Sequence, residues 1–138
     1  MQKQQRASPG AMTKADYERL AEFRYQLRRF LRFSEELTHG KGITTLQYLL
    51  MLQIRGFPGR DWATVGELSE RLQAKHHGVV SLISRCEAAG LVRRSTSEND
   101  RRRVEVHLTP KGAACLEHLA QLHRDELAAL KMQLSLTE

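Results

Sequence analysis

Apolar residues change their spacing twice along this chain, and each change marks a change of element. From Asp16 to about Leu37, Leu20, Phe23, Leu27, Phe30, Leu31 and Phe33 recur mostly at steps of three and four among charged residues. That period belongs to a helix with one apolar face. His39-Gly40-Lys41-Gly42 interrupts it, and a second helix is expected from Thr44 or Thr45 to Arg55, with Leu46, Leu49, Leu50 and Ile54 on a broad apolar face. The threonines can act as N-caps. "GFPGRDW", Gly56 to Trp62, reads as a loop.

Thr64 and Glu67 have the S/T-x-x-E spacing in which each side chain satisfies a backbone N–H of the first turn, so a third helix is expected from Thr64 with Val65, Leu68 and Leu72 inward. After Gln73 to Lys75, a fourth helix runs from His76 to Ala89. It buries Val79, Leu82, Ile83 and Cys86 and ends at Gly90 as a C′ residue. Two short helices around so tight a turn make a helix-turn-helix candidate.

The period then drops to two. Val92 to Ser97 and Arg103 to Thr109 are rich in β-branched residues, and Glu98-Asn99-Asp100 between them supplies turn chemistry, which predicts a β-hairpin. Thr109 and Pro110 suit the N-cap and first position of a last long helix striped by Leu116, Leu119, Leu122, Leu127, Leu130 and Leu134. The expected fold is mainly α with a small β-hairpin, in one domain over 13–138. Residues 44–110 form the core, 13–38 and 110–136 flanking helices, and residues 1–12 a flexible arm.

Of 138 residues, 41% are hydrophobic and 28% charged, which fits a globular chain rather than a disordered one. Twenty-two Lys and Arg against 16 Asp and Glu leave a net charge of +6, favouring anionic partners. Cys86 and Cys115 are too few for a disulfide framework and lack the paired spacing of a zinc site, consistent with a reducing cytoplasm. The N-terminus shows no signal-peptide core, and no stretch approaches the ~18 apolar residues of a membrane span, so no membrane partner is expected.

The charge gains meaning from its placement. On the fourth helix the outward face carries His77, Ser81, Ser84 and Arg85, with Lys75, His76, Gly78 and Val80 near its N-terminal half. A helix entering the major groove of DNA needs such a face. Polar side chains reach base edges, small residues permit close approach, and an apolar Val80 can meet a thymine methyl. At the hairpin tip Arg101, Arg102 and Arg103 concentrate cations that suit phosphates or the narrow, negative minor groove. A basic turn also serves simply to keep a sheet edge soluble. The order of helix-turn-helix followed by basic hairpin favours a wing.

Residues from about Tyr17 to the end resemble the MarR-type winged-helix transcriptional regulators. Asp100-Arg101-Arg102-Arg103-Val104-Glu105-Val106-His107-Leu108-Thr109-Pro110-Lys111-Gly112 matches the family's wing pattern D-x-R-x5-L-T-x-x-G at every fixed position. The resemblance makes Arg102 the minor-groove arginine and Asp100 a support of the wing. Arg85-Cys86-Glu87-Ala88-Ala89-Gly90-Leu91-Val92 is similar to the family's R-L-E-x-x-G-L-V except at Cys86. The residues before it depart further: Lys75 stands where a Ser or Thr cap is common. The sequence also stops near where the family's final helix usually starts.

The resemblance implies a homodimer through the terminal helices, presenting two recognition helices to a pseudo-palindromic double-stranded operator. It further implies repression, relieved by a small aromatic or phenolic effector. Phe23, Tyr48, Phe57 and Trp62 are the candidate lining of an effector pocket, although core packing is the plainer role for each. No metal or cofactor site is expected: His118 and His123 are five apart, a poor spacing for one metal on a helix. No catalytic grouping emerges, so an enzyme is not expected. The rival reading is a winged-helix module that binds an acidic protein, or nucleic acid without sequence preference.

Overall fold

The computed structural model describes residues 10–135, with side chains described as far as Leu130. Most of the arm expected over 1–12 therefore lies outside the described residues. Five helices and a three-stranded sheet follow in the order α1 (Lys14–Gly40), α2 (Thr45–Arg55), β1 (Trp62–Thr64), α3 (Val65–Leu72), α4 (His76–Ala88), β2 (Val92–Thr96), β3 (Val104–Leu108) and α5 (Pro110–Ser135).

Three helices start on the same device. Thr13, Thr44 and Thr64 each accept a hydrogen bond from the backbone N–H of the third helical residue. In return Asp16, Gln47 and Glu67 accept one from the threonine's own N–H. Such caps contribute about 1 kcal/mol each. Burial alone would raise the Glu67 carboxyl, but hydrogen bonds from Thr64 and the ion pair with Arg60 outweigh it and hold the group below the ordinary glutamate value. The fourth helix lacks this support: Lys75 occupies the N-cap of α4 without a side-chain cap bond.

The core lies where α2, α3, α4, the sheet and the start of α5 meet. Leu50, Met51, Ile54, Leu68, Val79, Ile83, Val92, Val106 and Leu119 are all essentially inaccessible to water. Burying each such side chain contributes roughly 1.5–3 kcal/mol. These residues come from separate elements but form one continuous apolar cluster.

The loop expected over Gly56 to Trp62 ends in a strand. Trp62–Thr64 pairs antiparallel with β3, Trp62 opposite His107 and Thr64 opposite Glu105, so the sheet order is β1-β3-β2 rather than a lone hairpin. Three residues are too short to show the alternation of a strand, and this one exists through its partner.

The stripes of the long helices also divide. On α1 the most buried residues are the polar Ser34 and Thr38, while Leu20, Phe23 and Leu31 are exposed. On α5, Leu116, Leu119 and His123 are buried, whereas Leu122 and Leu127 are exposed. The helix period runs through His123, not through the next leucine, as the line that packs against the rest of the chain.

Candidate nucleic-acid interface

Helix α4 presents its outer face because Val79, Leu82, Ile83 and Cys86 anchor the opposite one in the core. Lys75, His76, His77, Gly78, Val80, Ser81, Ser84 and Arg85 are all exposed along it. The helix follows α3 across a turn in which Gln73 takes the left-handed conformation, φ 51°, and its side-chain amide donates to the carbonyl of Glu70 at 2.8 Å. Gly90, at φ +77°, stops α4 and sends the chain into β2.

Between β2 and β3 the wing turn is held by its own polar groups. The Asp100 carboxylate accepts from the Arg102 N–H at 3.0 Å and the Asp100 carbonyl from the Arg103 N–H at 3.0 Å. The Ser97 N–H closes the loop on the Arg103 carbonyl at 3.0 Å. An aspartate bonded to the backbone two residues on is a standard means of fixing a turn. Asp100 thus supports the wing by geometry.

The three arginines are not equivalent. All are exposed, but the Arg103 guanidinium lies 4.6 Å from the centre of the Trp62 ring and 3.6 Å from the Glu105 carboxylate. It is turned toward the sheet. Among the described residues, the ion pairs of the wing turn involve Arg103 but neither Arg101 nor Arg102. Those two guanidiniums are the cations that the turn offers to solvent.

The end of the wing is fastened to α4 by the segment Leu108 to Gly112. The Thr109 hydroxyl donates to the Gly90 carbonyl at 2.5 Å and accepts from the Gly112 N–H at 3.0 Å. The Thr109 N–H donates to the Leu91 carbonyl at 3.0 Å, and the Lys111 ammonium to the Ala89 carbonyl at 2.9 Å. Carbonyls left open at the end of α4 are thereby satisfied by the start of α5.

The four aromatics offered as effector lining are not brought together. Tyr48 is 3% exposed and stacks on His123 between the terminal helices and the core. Phe57 and Trp62 instead flank Arg60 at the wing root, the guanidinium lying 4.2 and 3.9 Å from the two ring centres. Phe23 stands exposed on α1. Burial raises the Tyr48 phenol above its ordinary value, which keeps it protonated. Among the described residues no group of three or more His, Cys, Asp or Glu is placed to hold a metal ion, and no helix is long and apolar enough to cross a membrane.

Two residues absent from the sequence-based interface belong to its framework. Arg94 on β2 and Glu87 on α4 join the wing to the helix, the Arg94 Nη1 donating to Glu87 Oε1 at 3.0 Å. Opposite charges seven residues apart were the only available signal, and they fall on different elements.

A helix-turn-helix whose second helix is followed by a basic antiparallel wing defines the winged-helix class. The family model that matches this chain, over residues 41–103, is that of the MarR family, and the match spans α2 to the wing turn. Over that stretch the chain is similar to this family of transcriptional regulators. A Thauera aromatica protein assigned as a transcriptional regulator of the hcr operon is 30% identical over 98 residues, 71% of this chain and 57% of its own length. The chain thus covers little more than half of that relative. Among solved structures, AbsC, a MarR family regulator from Streptomyces coelicolor, is similar with a TM-score of 0.74 at 22% identity, over 89% of this chain and 82% of AbsC. A MarR family protein from Bacillus stearothermophilus is similar with a TM-score of 0.73 at 25% identity, over 87% and 82%.

Proposed function

We propose that this protein is a homodimeric, sequence-specific double-stranded DNA-binding repressor that occupies a pseudo-palindromic operator. In this reading α4 lies in the major groove and reads it with Lys75, His76, His77, Val80, Ser81 and Arg85, while Arg101 and Arg102 reach phosphates and the adjacent minor groove. The carrying observation is that the exposed face of α4 has no acid in its first turn and is joined to the strands carrying the outward arginines of the wing by the bonds of Arg94 and Thr109. An acidic residue on that face would oppose the phosphates; cations and small polar groups do not.

Dimerisation rests on the terminal helices. Tyr17, Leu20, Phe23 and Leu31 of α1 and Leu122 and Leu127 of α5 are each between 38% and 58% exposed. Large apolar side chains left on two neighbouring helices are what a second copy would bury. Two recognition helices in successive major grooves then require half-sites about 34–36 Å apart.

Release by a small aromatic or phenolic effector is the regulatory part of the reading. Its support is an open groove between α2 and α5 lined by Leu52, Arg55, Gly56, Leu116 and Ala120, where the terminal helix meets the core. A ligand there acts only through different affinity for two arrangements of the lobes.

The test is selection of binding sites from random duplex DNA, repeated over a salt series. A recovered two-fold motif supports the reading. Salt-sensitive binding without a motif assigns the surface to nonspecific nucleic-acid binding, and no binding to duplex overturns the reading.

A further inference from the structure

Arg94 lies in the middle of β2, opposite Val106 of β3 and two residues from the buried Val92, so it faces the helices rather than solvent. Its backbone N–H donates to Glu87 Oε2 at 3.0 Å, and its Nη1 donates to Glu87 Oε1 at 3.0 Å. Its Nη2 donates to the Ser84 hydroxyl at 2.9 Å and to the Val80 carbonyl at 3.2 Å. Val80, Ser84 and Glu87 are spaced as one stripe of α4, two helical turns long. One strand residue therefore grips the recognition helix over more than half its length.

We propose that Arg94 is a positioning residue that sets the angle and depth of α4 relative to the wing, and that it withdraws Ser84 from the surface that reads bases. This rests on the DNA-binding reading given above. The planar guanidinium suits the task, because its fixed fork of donors engages a carboxylate and neighbouring acceptors in one geometry. Without it, the polar ties between α4 and the wing among the described residues are those of the Gly90-Leu91 turn, Thr109 and Lys111, beside the packing of Val92 and Val106 on the core.

Two consequences separate Arg94 from the arginines of the wing turn. Both terminal nitrogens are committed to α4, so the charge of Arg94 is not offered to phosphate and contributes nothing to counterion release. The Ser84 oxygen, engaged by Arg94, is on the flank of α4 that meets the wing. Ser81 and Arg85 lie on the far side of that stripe.

The experiment uses duplexes recovered by the wild-type protein from a random pool, with a scrambled duplex of the same length as control. Affinities of wild type, Arg94→Ala, Arg94→Lys, Glu87→Gln and Arg102→Ala are measured over a salt series. Arg94→Ala weakens the selected site about tenfold or more while leaving the scrambled duplex and the slope of log K against log salt unchanged. Arg102→Ala, in contrast, lowers the slope by about one. Glu87→Gln acts in the same direction as Arg94→Ala, and the double variant is no worse than Arg94→Ala, as expected for two ends of one interaction. Arg94→Lys keeps the charge and one bond to Glu87 and recovers part of the loss, which holds the test open should the alanine variant fold poorly. Ser84→Ala leaves the selected motif unchanged.

A slope lower by about one in Arg94→Ala makes Arg94 a phosphate contact and overturns the proposal. So does unchanged affinity for the selected site, and an altered motif with Ser84→Ala overturns the withdrawal of that serine. If the wild-type protein recovers no motif at all, the DNA reading fails first and the positioning role fails with it.

Discussion

The imidazole of His123 on α5 lies stacked on the phenol ring of Tyr48 on α2, with ring centroids 4.4 Å apart and planes 12° from parallel. His123 is 6% exposed, and both its nitrogens are engaged, Nδ1 with the Leu119 carbonyl at 2.7 Å and Nε2 with the Ser34 hydroxyl at 2.8 Å. A carbonyl can only accept, so Nδ1 carries a proton and donates it to Leu119, while Nε2 shares the second bond with the Ser34 hydroxyl. Phe30 and Phe33 of α1 meet the ring edge-on. One side chain thus ties α1, α2 and α5 at the junction between the terminal helices and the winged core.

Replacing His123 with Leu leaves the Ser34 hydroxyl without this partner and removes the stacking, so a loss of about 2–3 kcal/mol is expected. Urea denaturation measures it. Ser34→Ala combined with His123→Leu should cost less than the sum of the two single changes, because they remove opposite ends of one bond. Additive losses would show that the bond is idle.

This junction was poorly legible in the sequence, whereas the winged core was plainly so. Helix-period apolar residues with threonine caps at Thr44 and Thr64 specify α2 and α3 locally, and the alternation Val104, Val106, Leu108 specifies β3. Each of those signals is contained within its own element. His123 is different, since a histidine among leucines gives no sign of being the buried member of the row, and Ser34 gives none of being its partner 89 residues away. Arg94 fails to stand out for the same reason, and Trp62 stands out only as an aromatic of a loop, not as a strand residue. Their roles arise from contacts with α4 and from pairing with β3, which only the assembled fold creates.

The thiols should differ sharply in reactivity. Burial pushes the Cys86 thiol up to about 11, with the charge of Arg85 only partly offsetting it, while Cys115 is half-buried. A maleimide at pH 8 is expected to label Cys115 in the folded protein and Cys86 only after unfolding. Labelling of both at one rate would refute this. The folded-state value is raised above the ordinary 9.0, so the unfolded chain gives up this proton first. The associated stability is complete below about pH 9 and declines as pH rises toward 11.

On the proposed DNA face the two contacts make separable predictions. Arg102→Ala should weaken duplex binding while dimerisation, followed by sedimentation, stays unchanged. Ser81→Glu places a carboxylate on the exposed face of α4 and should abolish selective binding without altering the melting profile, because Ser81 is exposed and outside the buried set Val79, Leu82, Ile83 and Cys86. A folded Ser81→Glu protein that still prefers the same site would place the reading face elsewhere.

The glycine that closes the wing pattern, Gly112, has a steric cause in this chain. A Cβ at Gly112 would lie well inside van der Waals contact with the Leu91 carbonyl oxygen and 2.9 Å from its carbon. Both are backbone atoms, and neither can rotate away. Gly112 must stay close because its N–H bonds the Thr109 hydroxyl, which in turn bonds the Gly90 carbonyl at the end of α4. Gly112→Ala is therefore expected to push α5 away from the α4–β2 turn and lower stability by about 1–3 kcal/mol or more. Because the turn also carries the wing, duplex affinity should fall even in protein that remains folded, whereas Ala113→Gly, one position on, should cost only about 1 kcal/mol of helix propensity. Unchanged melting of Gly112→Ala would mean that the helix start is free to shift, and that the close approach of Gly112 to Leu91 does not hold the wing in place.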